Sequence, residues 1–432
     1  MFKNKVFPII IVLVLMFISC GSKTKEESVQ NNKILYQSQN DNSYKTNIDI
    51  VVGANQTETY LPILNGKRVG IVANQTSVIK VKRKNSGIRN NETPGIEITN
   101  FSYIHLVDTL LKRNINIKKV FAPEHGFRGK ADAGEVVKDG IDTKTSLPIV
   151  SLYGKNKKPS PEQLADLDIV IFDIQDVGAR FYTYISSLHY VMEACAEANI
   201  PLLILDRPNP NGYYIDGPIL EKEHKSFVGM HPIPVVHGMT IGEYAKMING
   251  EGWLEHHIKC NITVIEMQNY THNKTYSLPI KPSPNLPNDQ AINLYPSLCF
   301  FEGTNVSAGR GTSKQFQIYG SPYLDKTIYN FKYIPSPNQG AKYPKHDGVL
   351  CYGEDLSKQE IMSQLDLSYL INAYQNSIDK NIFFNSFFTK LAGTKALRLQ
   401  IESGVSEKDI RSTWVKGLSE YKTMRRNYLI YK

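Results

Sequence analysis

The chain is poor in the signatures that make a sequence easy to classify. It has 432 residues but only two tryptophans and five cysteines. Cys-x-x-Cys and His-x-x-x-His spacings are missing, which removes the usual zinc frameworks, so no metal is expected. There is no Walker sequence. The turn after the first apolar strand, Ala73-Asn74-Gln75-Thr76, lacks the glycines that let a pyrophosphate approach a helix, so no dinucleotide or other cofactor is expected. Gly309-Arg310-Gly311-Thr312-Ser313-Lys314 has the wrong spacing for a phosphate loop, and no Gly-x-Ser-x-Gly elbow raises a serine nucleophile. The formal net charge is +9, yet no basic helix or arginine-rich run gathers it, so nucleic acid is not the expected partner. A scattered positive excess suits an acidic ligand or an anionic cell-surface polymer.

The one long apolar run, residues 6–18, is too short for a comfortable membrane span. It follows Lys3 and Lys5 and ends at Ser19-Cys20-Gly21. That is the layout of an export signal. Cys20 stands where a bacterial lipobox puts its acylated cysteine, with Phe17 where leucine is usual. The expectation is a signal over 1–20 and a mature chain anchored to the cell envelope through a lipid on Cys20 alone. Residues 21–47 are Lys, Glu, Asn, Gln and Ser with little apolar to bury, a solvated tether. The other four cysteines show no paired spacing and are expected as buried free thiols.

What is present is an alternation of short apolar strands with helices, the pattern of an α/β domain with a doubly wound parallel sheet over 48–260. Strands are expected at 67–73, up to 121, 148–152, 168–173 and 201–205, with helices over 101–113, 182–198 and 240–248. A second, smaller domain is expected over 261–432, opening with the strand Thr263-Val264-Ile265 and carrying helices at 358–365, at 378–391 and after Ser406. The glycine-rich loop from Glu302 to Gly311 reads as a binding loop.

One stretch organises the rest: Val-Phe-Ala-Pro-Glu-His-Gly-Phe-Arg-Gly at 120–129. Pro123 stops a buried strand and delivers Glu124 and His125 to the sheet edge, where open α/β sheets hold their ligands. Polar residues end the neighbouring strands too: Asn74, Gln175 with Asp176, Asp206 with Arg207, and His237. Their convergence on one edge reads as a site.

The runs Asn74-Gln75-Thr76, Pro123-Glu124-His125-Gly126-Phe127-Arg128-Gly129, Asp173-Ile174-Gln175-Asp176-Val177-Gly178-Ala179-Arg180-Phe181-Tyr182-Thr183-Tyr184, Asp206-Arg207-Pro208-Asn209-Pro210 and Glu302-Gly303-Thr304-Asn305 together resemble the NamZ-type exo-β-N-acetylmuramidases, once a domain of unknown function. The resemblance covers 51–432. It implies a Rossmann-like first domain, a smaller second one, an active site in the cleft between them, and release of N-acetylmuramic acid from the non-reducing end of peptidoglycan fragments. The glutamate matching Glu124 would be the acid.

Glycoside hydrolysis needs a group that protonates the leaving oxygen and, usually, a second carboxylate. Asp176 and Glu135 rank ahead of Asp173 for that second role, and the substrate's own acetamido group is a third route. His125 either acts directly or supports Glu124. The lactyl carboxylate of muramic acid calls for an arginine, with Arg180 ahead of Arg207 and Arg310. Tyr182 and Tyr184 are expected along the sugar. Asn74, Arg128, Asp173, Gln175, Asp206, Asn209, His237, Glu302 and Asn305 complete the candidate substrate contacts. Two other classes compete: a tethered solute-binding lipoprotein for cell-wall sugars, and a metal hydrolase using Glu124, His125, Asp206 and His237.

Overall fold

The apolar strands assemble into one seven-stranded sheet. The computed structural model describes residues 49–82, 101–129 and 139–432, so Cys20, the signal, the whole tether and Glu135 lie outside the described residues. The described strands in chain order are β1 (Val69–Ala73), β2 (Val78–Lys82), β3 (Phe101–His105), β4 (Ile117–Ala122), β5 (Gly140–Ile141), β6 (Pro148–Ser151), β7 (Ile169–Asp173), β8 (Leu202–Leu205), β9 (Ile262–Ile265), β10 (Ile318–Ser321), β11 (Phe331–Tyr333) and β12 (Cys351–Asp355). The sheet runs β5-β6-β4-β1-β7-β8-β9, and every neighbour pair is parallel except β5 with β6. Taken in chain order, its six parallel strands lie 3-2-1-4-5-6, the doubly wound Rossmann arrangement.

This order follows from the residues. β1 and β7 read Val-Gly-Ile-Val-Ala and Ile-Val-Ile-Phe-Asp and are buried throughout, because helices cover both faces of the sheet. The winding reverses between these two strands, where Ala73 pairs with Asp173. Asn74 therefore leaves the sheet beside Ile174, and neighbouring β4 delivers Glu124 two residues past Ala122. Capping boxes start the helices Pro161–Leu164 and Ile241–Gly250, through Ser160 with Gln163 and Thr240 with Glu243.

Beyond this sheet lies a smaller one, β10-β12-β11, antiparallel and accompanied by helices. Residues 262–265, read from the sequence as opening the second domain, are instead β9, the sixth parallel strand of the large sheet. The four described cysteines, Cys195, Cys260, Cys299 and Cys351, are buried and free, as their spacing suggested.

Four helix expectations differ from the structure, three of them for a tertiary reason. Residues 101–105 form β3, antiparallel to β2, and only Leu106–Lys112 is helical. In place of a helix at 358–365 the backbone is held by other elements. The N–H of Met362 donates to the Asn293 side chain at 2.8 Å, and that of Leu365 to Asp216 at 2.9 Å. The helix comes later, at Ser368–Gln375. Over 378–391 only Phe388–Ala392 joins a helix, because Phe383 and Phe384 pair with the backbone at Asn305 and Thr304. The last expected helix is two: Ser406 caps Glu407–Ser412, and Val415–Arg426 follows.

His105 ties this scaffold to the site edge. One ring nitrogen lies 2.9 Å from the Asn74 carbonyl, and the other accepts the Val107 N–H at 3.3 Å, a geometry that only the neutral ring with its proton on Nε2 satisfies. Burial pushes its pKa down to about 4. The unfolded chain therefore binds this proton first as pH falls, and the stability His105 contributes is complete above about pH 6.5 and lost toward pH 4. Urea unfolding across that window should show a slope that Phe at position 105 removes, worth up to about 3 kcal/mol.

Candidate active site

Glu124 sits on a turn that backbone chemistry forces. Pro123 ends β4, and its carbonyl accepts the Gly126 N–H at 3.0 Å. His125 and Gly126 both take left-handed backbone, with φ of 71° and 74°. For His125, which carries a side chain, that conformation is costly, and it is held at the site rather than relaxed. Further along, Gly129 lies where an added Cβ would come within 2.8 Å of the Gln75 side chain.

The carboxylate of Glu124 accepts two hydroxyl protons. Tyr153 donates to Oε1 at 3.1 Å and Thr183 to Oε2 at 2.7 Å. Its backbone is fixed as well: Tyr184 donates to the Glu124 carbonyl at 3.3 Å, while the Tyr184 oxygen accepts from the Asn74 side chain at 2.8 Å. Three strand ends thus meet on one residue.

Glu124 and His125 face a cavity of about 290 Å³. Its walls include Tyr182, Tyr295 and Phe316, packed edge to face, and the Tyr182 hydroxyl donates to the Pro282 carbonyl at 2.8 Å. Glu302 and Arg310 also line the cavity, and the Arg310 guanidinium lies 3.8 Å from the Glu302 carboxylate and donates to the Gly340 carbonyl at 3.1 Å. Among the described lining residues, Glu302 is the carboxylate besides Glu124, and Arg310 is the arginine. Beneath them the Lys345 ammonium is ringed by the carbonyls of Phe301 (2.7 Å), Thr304 (2.8 Å), Val306 (3.2 Å) and Glu302 (3.3 Å). Desolvation there holds its pKa below the usual lysine value.

Other candidates from the sequence serve the scaffold. Arg180, the first choice for an anionic substrate group, is wholly buried, and its guanidinium donates to the carbonyls of Pro218, Ile233, Leu391 and Ala392 at 2.7 to 2.9 Å. Burial pulls its pKa down to about 9. Asp173 and Arg207 form a buried ion pair at 2.6 Å. Asp176 does not line the cavity: it accepts the Gly178 N–H at 2.7 Å and faces the His237 ring at 3.5 Å. Gln175 donates to the carbonyls of Asp176 and Pro208. Asn209 donates to the Met239 carbonyl and presses on Gly178, where a Cβ would lie 2.2 Å from its amide oxygen. Asp206, its pKa pushed up to about 6 by burial, is enclosed by Tyr431, Thr240 and the Gly242 N–H. The four residues that a metal reading requires are therefore not gathered. Arg128 pairs with Asp142 and Asp108 in a separate network. The backbone of Asn305 is anchored to Phe383 and His346.

Sequence reasoning missed Tyr153, Thr183 and Lys345. Tyr153 lies two residues past β6, as Glu124 does past β4, so the strand-end rule that found Glu124 reaches it as well. Thr183 stands between the two tyrosines already singled out. Lys345 carries no local signal.

A glutamate at the end of the strand beside the switch point of a doubly wound sheet, facing aromatic walls and, among the described lining residues, one arginine, is an arrangement compatible with carbohydrate cleavage. Comparison with known proteins agrees. Residues 69–290 match the family model "Exo-beta-N-acetylmuramidase NamZ, N-terminal" and residues 293–431 match its C-terminal counterpart. The chain belongs to this family and is a glycoside hydrolase. It is 38% identical over 393 residues to the peptidoglycan beta-N-acetylmuramidase NamZ of Bacillus subtilis, covering 86% of this chain and 89% of the relative. Two crystal structures of DUF1343 family proteins from Bacteroides fragilis resemble it, at 46% identity with TM-score 0.77 and at 27% with TM-score 0.70. Each match covers 89% of this chain and 99% of the other.

If Arg180 is purely structural, Arg180→Met leaves buried carbonyls unpaired and lowers the unfolding free energy by about 3 kcal/mol or more. Denaturant titration measures that loss, and the Michaelis constant of the folded fraction should stay unchanged.

Proposed function

We propose that the chain is an exported, lipid-anchored enzyme that removes N-acetylmuramic acid from the non-reducing ends of peptidoglycan fragments, with Glu124 as general acid. The observation that carries this reading is the Glu124 carboxylate, held by two hydroxyls at the wall of an aromatic cavity that Arg310 also lines. Glu124 gives its proton to the glycosidic oxygen as the bond to the anomeric carbon breaks, and water supplies the hydroxyl that replaces it. The rings of Tyr182 and Tyr295 suit the apolar faces of a pyranose. Arg310 is assigned to the lactyl carboxylate, the group that separates muramic acid from glucosamine. The family membership and the activity named for the Bacillus subtilis relative support the same substrate. The anchor rests on the sequence around Cys20.

The test uses a chromogenic β-N-acetylmuraminide. Release by the natural chain and a fall of about 10²- to 10⁴-fold in Glu124→Gln is the expected result. Equal turnover by both sinks the assignment of the acid, and no release by the natural chain sinks the substrate. Arg310→Ala should raise the Michaelis constant about 10- to 100-fold on the same compound. On the matching N-acetylglucosaminide, which lacks the lactyl group, it should change little.

A further inference from the structure

The two oxygens of Glu124 point to two unlike surroundings. From Oε2, Thr183 leads to the buried rings of Tyr182, Tyr295 and Phe316 and on to Arg310. From Oε1, Tyr153 leads to Phe227, edge to face with centroids 6.5 Å apart, and Tyr190 lies nearly parallel to Phe227 at 6.3 Å. Those three rings are partly exposed, and Tyr153, Phe227 and Val228 also line the cavity.

The way Phe227 is presented is unusual. Ser226 and Gly229 exchange backbone hydrogen bonds at 2.8 and 3.1 Å, which makes Phe227 and Val228 the two central residues of a tight reverse turn. Such positions favour Gly, Asn, Asp or Pro, and two apolar side chains there leave hydrophobic surface in water. The Lys157 ammonium, 4.6 Å from the Phe227 centroid, adds a cation to the same surface.

We propose that the turn tip at Phe227, with Tyr153 and Tyr190, is the binding site for the departing sugar, a β-linked hexosamine. This rests on the function proposed above. With Arg310 taking the lactyl group, the released sugar fills the buried end, and the glycosidic oxygen lies at Glu124. The next ring then falls on the Tyr153 side, where its apolar C–H groups meet aromatic rings.

The test compares two substrates of the same chain: N-acetylmuramic acid β-linked to N-acetylglucosamine, and N-acetylmuramyl β-fluoride, which has no leaving ring. Phe227→Ala should lower kcat/KM roughly tenfold on the disaccharide and leave the fluoride unchanged. Phe227→Trp, which keeps an aromatic surface and guards against a folding artefact, should retain the disaccharide rate. Equal losses of both variants on both substrates, or no loss of Phe227→Ala on either, overturn the proposal. If the unaltered chain cleaves neither substrate, the muramidase reading fails instead.

Discussion

The site depends on one arrangement: a carboxylate whose two oxygens each accept a hydroxyl proton from a different element. Tyr153 comes from the end of β6 and Thr183 from the residue before the helix Tyr184–Glu197, while Asn74 fixes the backbone through Tyr184. None of these residues is near Glu124 in sequence. They meet because the 3-2-1-4-5-6 strand order places the ends of β1, β4, β6 and β7 along one edge. Hydrogen bonds from fixed elements hold a carboxylate in one orientation without the help of a ligand.

Around that point the protein uses charge chiefly for construction. Asp173 and Arg207 neutralise each other where β7 ends, and Arg207 also donates to the Val78 carbonyl, stitching β2 to the switch point. Lys345 gathers the carbonyls of the turn that carries Glu302. The carbonyls pair the N–H groups of this buried cation, and the nearby Glu302 carboxylate offsets part of the cost of desolvating it. Arg310, by contrast, is partly exposed at the cavity wall, with the Glu302 carboxylate 3.8 Å away.

The parallel sheet was legible because each strand is a short apolar run closed by polar residues, and Glu124 was legible because Pro123 ends such a run. Which arginine borders the cavity was less legible. Arg180 and Arg310 both sit in glycine-bearing loops, and only the packing of Pro218, Ile233, Leu391 and Ala392 around Arg180 separates them. The expected helices at 358–365 and 378–391 failed for a related reason. Their apolar spacing is real, but the backbone there bonds to Asn293, Asp216 and Asn305, partners distant in sequence. Local pattern cannot register competition of that kind.

Arg180 has a mechanical consequence. It stands seven residues past β7, yet two of its four acceptors, Leu391 and Ala392, lie more than 200 positions away, and Leu391 borders the cavity. A clamshell motion between the early and late parts of the chain would have to pull a desolvated guanidinium off those oxygens. Arg180 thus works as a rivet: any widening of the cavity on the Leu391 side has to break those bonds first.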